Sequence, residues 1–173
     1  MKLVIAEKPS VAQSLAKVIG ANKRCDGYLE GGGYLVSWCL GHLAEYAEPE
    51  AYDEKYRKWN LADLPIIPDR WKLEVAREKM AQYNVLKKLF SMPLSSVVNA
   101  CDAGREGELI FRLIAEYTKA RQPIKRLWLQ SMTPAAIREG FKHLRTDEEM
   151  QSLAKAARSR AEADWLVGIN GRS

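Results

Sequence analysis

The sequence predicts an α/β fold in which helices cover both faces of a mostly parallel sheet with four core strands. Two segments, residues 2–6 and 97–100, carry this prediction, because each passes from an apolar run through a short turn into a helix pattern. Strands that alternate with helices are typical of parallel sheets. A hydrophobic content of 47% over 173 residues supplies enough apolar surface for the core of one domain.

The first predicted strand, residues 2–6, leads into a helix. We expect the helix to begin at Ser10, since Ser10 and Gln13 form a capping-box pattern. Its predicted apolar face consists of Val11, Leu15, Val18 and Ile19. This strand, turn and helix place Glu7 at the carboxyl end of a strand.

Three consecutive glycines, residues 31–33, predict a turn into a strand over residues 34–40. They do not form a dinucleotide-binding loop, because a strand follows them where such a loop opens a helix. His42 lies at the end of this strand. It is a candidate for phosphate contact or, alternatively, for a hydrogen bond to a neighbouring carbonyl.

Residues 45–70 contain acids and prolines with little periodicity, and they predict a long surface loop of the kind that often carries function. Within the loop, residues 56–60 mix aromatic and cationic side chains, which suits stacking on bases beside phosphates. Trp59 has an alternative interpretation as a packing anchor for its own loop. A strand over residues 71–75 and a helix over residues 79–90 are predicted next.

The second half of the chain continues the alternation of strands and helices. The acidic strand–turn–helix around Asp102 is followed by a strand over residues 124–129 and by a helix that begins at Thr133 and Pro134. A long helix is predicted from residue 147, with Met150, Leu153, Ala157, Ala161 and Trp165 on its apolar side. The chain ends at residue 173 without a closing element, and we expect it to be part of a longer protein.

Carboxylates follow two of the predicted strands, Glu7 after the first and Asp102 after the later one. Because the carboxyl ends of parallel strands meet at one sheet edge, we expect these two groups to share a single ion. Asp102, Glu106 and Glu108 repel one another unless a cation lies among them, and Mg²⁺ suits a few carboxylates with water and phosphate oxygens. Two alternatives stay open: Glu7 as a solvated turn residue paired with Lys8, and Glu106 and Glu108 as acids that favour a helix N-terminus.

Composition limits the class of protein. The net charge of +5 suits a polyanionic partner without requiring one. Cys25, Cys39 and Cys101 are odd in number and lack metal-ligand spacing, which favours reduced, buried residues of a cytoplasmic protein. No apolar run is long enough to span a membrane, and a Walker-type nucleotide site is excluded because GxxxxGK[ST] does not occur.

Six motifs occur in a specific order along the chain. They are residues 6–10 (AEKPS), 41–43 (GHL), 56–65 (YRKWNLADLP), 102–108 (DAGREGE), 126–128 (RLW) and 163–170 (ADWLVGIN). Together they resemble the topoisomerase III family of bacterial type IA DNA topoisomerases over essentially the whole chain. The resemblance implies a Rossmann-like Toprim domain over residues 1–146 and the start of the next, helical domain over residues 147–173.

The resemblance also implies an activity. Such enzymes use no ATP or other nucleotide cofactor; they cut one DNA strand with a tyrosine, pass another strand through the gap and reseal it. Glu7 would be a metal ligand or proton carrier, Asp102 the principal Mg²⁺ ligand and Glu106 an outer acid, while Lys8 would neutralise charge at the scissile phosphate. The positions that match residues near the bound single strand are His42, Trp59, Arg160, Asp164 and Asn170. Arg160 and Asp164 are also spaced as an ordinary helix-surface pair.

Two departures from the family pattern refine this expectation. Gly104 stands where many Toprim domains have a second aspartate, so we expect one dominant Mg²⁺ and not a two-metal clamp. The tyrosines of this chain lack the family's nucleophile motif, so we expect no cleavage by these 173 residues alone. The alternative functions are a Toprim metal-dependent nuclease or primase fragment, and a nucleic-acid-binding module without catalysis.

Overall fold

The computed structural model describes residues 1–53 and 72–170. Strands in this part of the chain form a large sheet and a small one. In chain order they are β1 (Lys2–Ala6), β2 (Lys23–Cys25), β3 (Tyr28–Gly31), β4 (Tyr34–Trp38), β5 (Ala44–Tyr46), β6 (Leu73–Val75), β7 (Ser96–Ala100), β8 (Ile124–Arg126) and β9 (Arg145–Thr146). The large sheet has the order β2-β3-β4-β1-β7-β8-β9, and β5 pairs with β6.

The centre of the large sheet is parallel. Strand β1 pairs in parallel with β4 and β7, and β7 pairs in parallel with β8. The side chains of Leu3, Val4, Ile5 and Ala6 in β1 are fully buried, as expected for a central strand covered on both faces. The predicted mostly parallel, four-stranded core is therefore confirmed. Antiparallel strands extend it, β3 and β2 beyond β4 and β9 beyond β8.

Helices cover both faces of this sheet, as predicted. They are α1 (Pro9–Ile19), α2 (Met80–Phe90), α3 (Arg105–Tyr117), α4 (Pro134–Lys142) and α5 (Asp147–Asn170). Leu15 of α1 and Ile137 of α4 join the apolar cluster on one face. Leu86 of α2, Phe111 of α3 and Ala157 of α5 join the cluster on the other face.

The order of the parallel strands creates a topological switch point, where successive connections leave β1 toward opposite sides of the sheet. The connection through α1 leads from β1 to β4 on one side, whereas β7 and β8 lie on the other side of β1. In open α/β sheets a ligand binds outside the carboxyl ends of the strands at such a switch point. Here that point lies between the ends of β1 and β7, at Ala6 and Ala100, which are register partners.

Helix starts differ in how well the sequence predicted them. Helix α1 begins at Pro9 with Lys8 as its N-cap, and no side chain caps it. The predicted capping box at Ser10 is therefore wrong, because the fixed φ of proline already favours the first helical position. The predicted cap at Thr133 is confirmed, since the Ala136 amide donates to Thr133 Oγ1 at 3.2 Å.

Two further segments differ from the prediction. The strand predicted over residues 124–129 ends at Arg126, and the segment predicted as one long loop contains β5, which pairs antiparallel with β6. The aromatic and cationic stretch at residues 56–60 lies outside the described residues. In α5, Met150 and Ala157 are buried as predicted, while Ala154, and not Leu153, is the buried residue between them.

The cysteines agree with the prediction except at one position. All three are free, and Cys39 and Cys101 are buried as predicted, whereas Cys25 is only half-buried. Across residues 1–53 and 72–170, none of the helices combines the length and apolar character that a membrane span requires.

Candidate metal centre

The two strand-end acids meet at the switch point. Glu7 directly follows β1, and Asp102 lies two residues after the end of β7. The Asp102 amide donates to Glu7 Oε1 at 3.4 Å, so the Glu7 carboxylate lies against the backbone that carries Asp102. Glu7 is half-buried and Asp102 is exposed. The structure thus brings together the pair that the sequence predicted to converge.

Nearby positive charge compensates the carboxylates of Glu7 and Asp102 only weakly. Burial raises the pKa of the Glu7 carboxyl above its ordinary value of 4.5, and the negative charge of Asp102 raises it further. Lys8 opposes this shift only as the smallest contribution. Because the folded state disfavours ionised Glu7, the metal-free fold loses stability as the pH rises from about 4.5 through the raised pKa. A bound cation would remove this cost.

The donor set at this edge fits Mg²⁺ better than a metal held entirely by protein. In the described parts of the chain, no group of three or more His, Cys, Asp or Glu side chains is arranged to hold a metal ion. Mg²⁺ usually takes one or two carboxylates and completes its shell with water and phosphate oxygens. The Glu7 and Asp102 carboxylates match that requirement.

Glu106 and His42 form a second pair at the rim of the site. His42 Nε2 donates to Glu106 Oε1 at 2.5 Å, although 64 residues separate them. Lys79 Nζ donates to the His42 carbonyl at 2.6 Å and ties α2 to the same turn. The Glu106 side chain is 71% exposed, which leaves it accessible to a ligand. Lys79 was not among the residues that the sequence singled out.

Glu108 belongs to a different environment from Glu106. Its side chain is fully buried, and it pairs with Arg112 at 2.9 Å and with Arg126 at 3.2 Å. Asn99 Nδ2 donates to Glu108 Oε2 at 3.2 Å. The expectation that Glu108 joins the other carboxylates around a cation is therefore wrong, because two buried arginines already neutralise it.

Gly107 lets α3 approach the acidic loop, which we define as residues 101–104. A Cβ at this position would lie 1.9 Å from the Asp102 carbonyl oxygen, far inside the van der Waals distance. Gly104, the N-cap of α3, has φ 139° and ψ −179°, a conformation that is essentially restricted to glycine. An aspartate side chain at this position would thus be strained in this backbone.

A cleft of about 520 Å³ opens beside the acidic loop. Its walls are residues 100–103, Val11 of α1 and the segment 127–132 that follows β8. Trp128 in this segment has the Arg126 guanidinium 5.0 Å and the Arg145 guanidinium 4.7 Å from its ring centre. The cleft offers space for a substrate next to the paired carboxylates.

The predicted nucleic-acid contacts lie partly outside this centre. Arg160 and Asp164 form an exposed ion pair at 3.3 Å on α5, as their spacing predicted. Asn170 is the last residue of that helix, and Trp59 lies outside the described residues. The contacts of Glu7 and Asp102 given above do not include these positions, so their role in DNA binding stays a prediction.

The fold and the pair of acids at the switch point place this chain among the α/β proteins that bind a ligand at the carboxyl edge of a parallel sheet. Comparison with known proteins identifies the family. The model of the Toprim domain family matches residues 2–132. The chain therefore belongs to the Toprim domain family, as its motifs predicted.

The curated relatives are DNA topoisomerases. The chain is 47% identical to DNA topoisomerase 3 of Shouchella clausii over 171 residues, which are 98% of this chain and 24% of that protein. It is 50% identical to DNA topoisomerase 3 of Bacillus subtilis over 169 residues, 97% of this chain and 23% of that protein. The chain thus spans about a quarter of the length of these relatives.

A solved structure has a similar fold. Full-length topoisomerase I from Thermotoga maritima superposes with a TM-score of 0.63 at 22% sequence identity, and the match covers 95% of this chain and 24% of that one. This similarity supports the Toprim-like α/β architecture.

Proposed function

We propose that this chain is the Mg²⁺-binding Toprim part of a type IA DNA topoisomerase, an enzyme that cleaves, passes and religates single DNA strands through a phosphotyrosine intermediate. The observation that carries the proposal is the convergence of Glu7 and Asp102 at the switch point. The similarity to proteins named DNA topoisomerase 3 supports the choice of enzyme. The domain boundary between residues 146 and 147 belongs to the same proposal.

Each residue of the proposed site has a separate chemical role. Glu7 and Asp102 would hold the Mg²⁺, which would stabilise negative charge on phosphate oxygens. Lys8, exposed beside Glu7, neutralises the scissile phosphate as charge builds on it. In the alternative role of proton carrier near the scissile phosphate, Glu7 without a metal is suited by its raised pKa to transfer a proton at its carboxylate oxygen. Glu106, with His42 at its side, is the outer acid that faces solvent.

In this proposal the chain prefers single-stranded DNA and binds it mainly through contacts with phosphates. Arg160, Asp164 and Asn170 on α5, with His42 and Trp59, are the proposed contacts. Their affinity should fall with increasing salt, as counterion release requires. We expect no membrane association and no nucleotide requirement, and we place the protein in the cytoplasm.

The metal site is tested by isothermal titration calorimetry of the chain with Mg²⁺. We expect one dominant site that Asp102→Asn abolishes, whereas Glu139→Gln leaves it unchanged, since Glu139 is exposed on α4 and pairs with His143. Two tight sites would refute the single-ion prediction. Unchanged Mg²⁺ binding in Asp102→Asn would instead favour a nucleic-acid-binding module whose acids are structural.

The enzymatic proposal is tested with supercoiled plasmid. The purified chain should not relax it, because none of its tyrosines lies in the expected nucleophile motif; relaxation would contradict this. Metal-dependent nicking without a covalent protein–DNA adduct would favour a nuclease. In the longer protein, Asp102→Asn should abolish relaxation, and Glu139→Gln should preserve it.

A further inference from the structure

The buried side chain of Arg126 donates hydrogen bonds to backbone carbonyls of the acidic loop. Arg126, the last residue of β8, is 1% exposed. Its Nη1 donates to the Cys101 carbonyl at 2.5 Å, and its Nη2 donates to the Asp102 carbonyl at 2.8 Å. Nη1 also lies 3.1 Å from the Asn99 carbonyl at the end of β7. One guanidinium therefore binds consecutive backbone carbonyls on the segment that presents Asp102.

The positive charge of Arg126 is balanced by Glu108, which lies in α3 and not in the acidic loop. Its Nε lies 3.2 Å from Glu108 Oε2, and Glu108 Oε1 accepts from Arg112 Nε at 2.9 Å. Arg112 extends the chain of contacts to Asp147 at the start of α5, at 2.5 Å. A buried ion pair is costly to desolvate and is weak evidence for stability on its own. The carbonyl contacts give a specific reason for an arginine here, because its planar fork donates to several acceptors at once.

Asp102 needs such support because its own side chain is exposed. With Asn99 Oδ1 accepting from the Cys101 amide at 3.1 Å, the backbone on both sides of the acid is held by buried groups. A preorganised ligand binds a metal more tightly than one on a mobile loop, since less ordering remains to be done.

We propose that Arg126 is a positioning residue that holds the acidic loop so that the Asp102 carboxylate faces Glu7. The inference rests on the proposed Mg²⁺ site for its binding readout, but the ordering of the loop is independent of metal. Arg126 itself contacts neither carboxylate in the hydrogen bonds and ion pairs described for residues 1–53 and 72–170.

The first test compares Arg126→Lys with Arg112→Lys by calorimetric titration of the chain with Mg²⁺. Lysine keeps the positive charge beside Glu108, but its single ammonium does not reproduce the forked donation to both carbonyls. We expect Mg²⁺ affinity to fall roughly 10–100-fold in Arg126→Lys, as for lost outer-shell support. Arg112→Lys, altered in the same buried cluster, should leave Mg²⁺ affinity close to that of wild type, since the hydrogen bonds described for Arg112 go to Glu108 and Asp147 and not to the loop carbonyls.

The second test is amide hydrogen exchange of metal-free protein. Exchange at residues 102–104 should be faster in Arg126→Lys than in wild type and unchanged in Arg112→Lys. Wild-type exchange and affinity in a folded Arg126→Lys would overturn the proposal, and so would equal effects of the two variants. If wild type binds no Mg²⁺ while exchange shows the expected difference, the metal proposal fails and the positioning role stands.

A double variant covers the case in which Arg126→Lys does not fold. Arg126→Met combined with Glu108→Gln removes the charges of both residues at similar volume, and Arg112 keeps its ion pair with Asp147. Removing both members of a buried ion pair is often better tolerated than removing one. It also removes the donation from residue 126 to the Cys101 and Asp102 carbonyls. Faster exchange at residues 102–104 is again expected, and wild-type exchange there would overturn the role of Arg126.

Discussion

Replacing Gly107 by alanine tests whether α3 must touch the backbone of the acidic loop. The added Cβ would lie 1.9 Å from the Asp102 carbonyl oxygen and 2.8 Å from its carbonyl carbon and amide nitrogen. Restoring ordinary contact requires a displacement of roughly 1.5 Å of the helix or the loop. No rotamer change relieves a clash between a Cβ and backbone atoms.

The magnitude follows from two opposing effects. Overpacking costs about 1–3 kcal/mol, and a backbone clash belongs at the top of that range. Alanine recovers about 1 kcal/mol of helix preference over glycine. The free energy of unfolding of Gly107→Ala should therefore fall by about 2 kcal/mol.

Gly168→Ala is the matched control. Position 168 lies in α5, where an added Cβ meets nothing within 4 Å. This substitution should raise the free energy of unfolding, by at most about 1 kcal/mol. Urea unfolding with an unchanged m-value measures both changes. Equal stabilisation by the two alanines would refute the close approach of α3 to the loop.

Three further predictions separate the acids of the site. Glu108→Ala should lower the free energy of unfolding by about 3–5 kcal/mol, since it strips two buried arginines of a shared counter-charge, while exposed Glu106→Ala should change it by no more than about 0.5 kcal/mol; urea unfolding compares them. Glu7→Gln should stabilise the metal-free chain at pH 7, by no more than about 1 kcal/mol because solvent screens the pair, and the gain should disappear at a pH below 4.5. Thermal unfolding at the two pH values measures this, and a gain that persists in acid would contradict the raised pKa. Gly104→Asp should cost about 1–3 kcal/mol for its backbone conformation and add no second tight Mg²⁺ site; calorimetry showing two such sites would contradict the expected strain.

The sequence predicted the central strands and the convergence of their acids because both depend on local pattern. An apolar run, a turn and an amphipathic helix fix where Glu7 and Asp102 stand along the chain, and the rule for parallel sheets brings the strand ends together. The antiparallel edges were missed because short, largely exposed strands such as Lys23–Cys25 and Arg145–Thr146 show little alternation. Their pairing depends on tertiary neighbours.

For Glu108, residue spacing in the sequence indicates one of its two buried partners and not the other. Successive helical residues are about 100° apart, so Glu106 and Glu108 face different sides of α3. Glu108 and Arg112 are four residues apart within an otherwise apolar run, a signal of a buried pair that the sequence offered. The third partner, Arg126, comes from another strand, and no local pattern links it to Glu108.

The residues that fix the acidic loop are buried, whereas its proposed metal ligand is exposed, and substitutions at the two kinds of position should therefore have different effects. Asp102 is exposed, yet Arg126 and Gly107 fix its backbone from inside the domain. A change at either buried position should therefore alter metal affinity without removing a ligand, whereas exposed Glu106 can change with little effect on the fold. Because the support acts on carbonyl oxygens, it is independent of which side chain position 102 carries. Asp102→Asn should thus lose the metal and keep the wild-type rate of amide exchange in the acidic loop, a combination that distinguishes a metal ligand from a residue that supports the backbone.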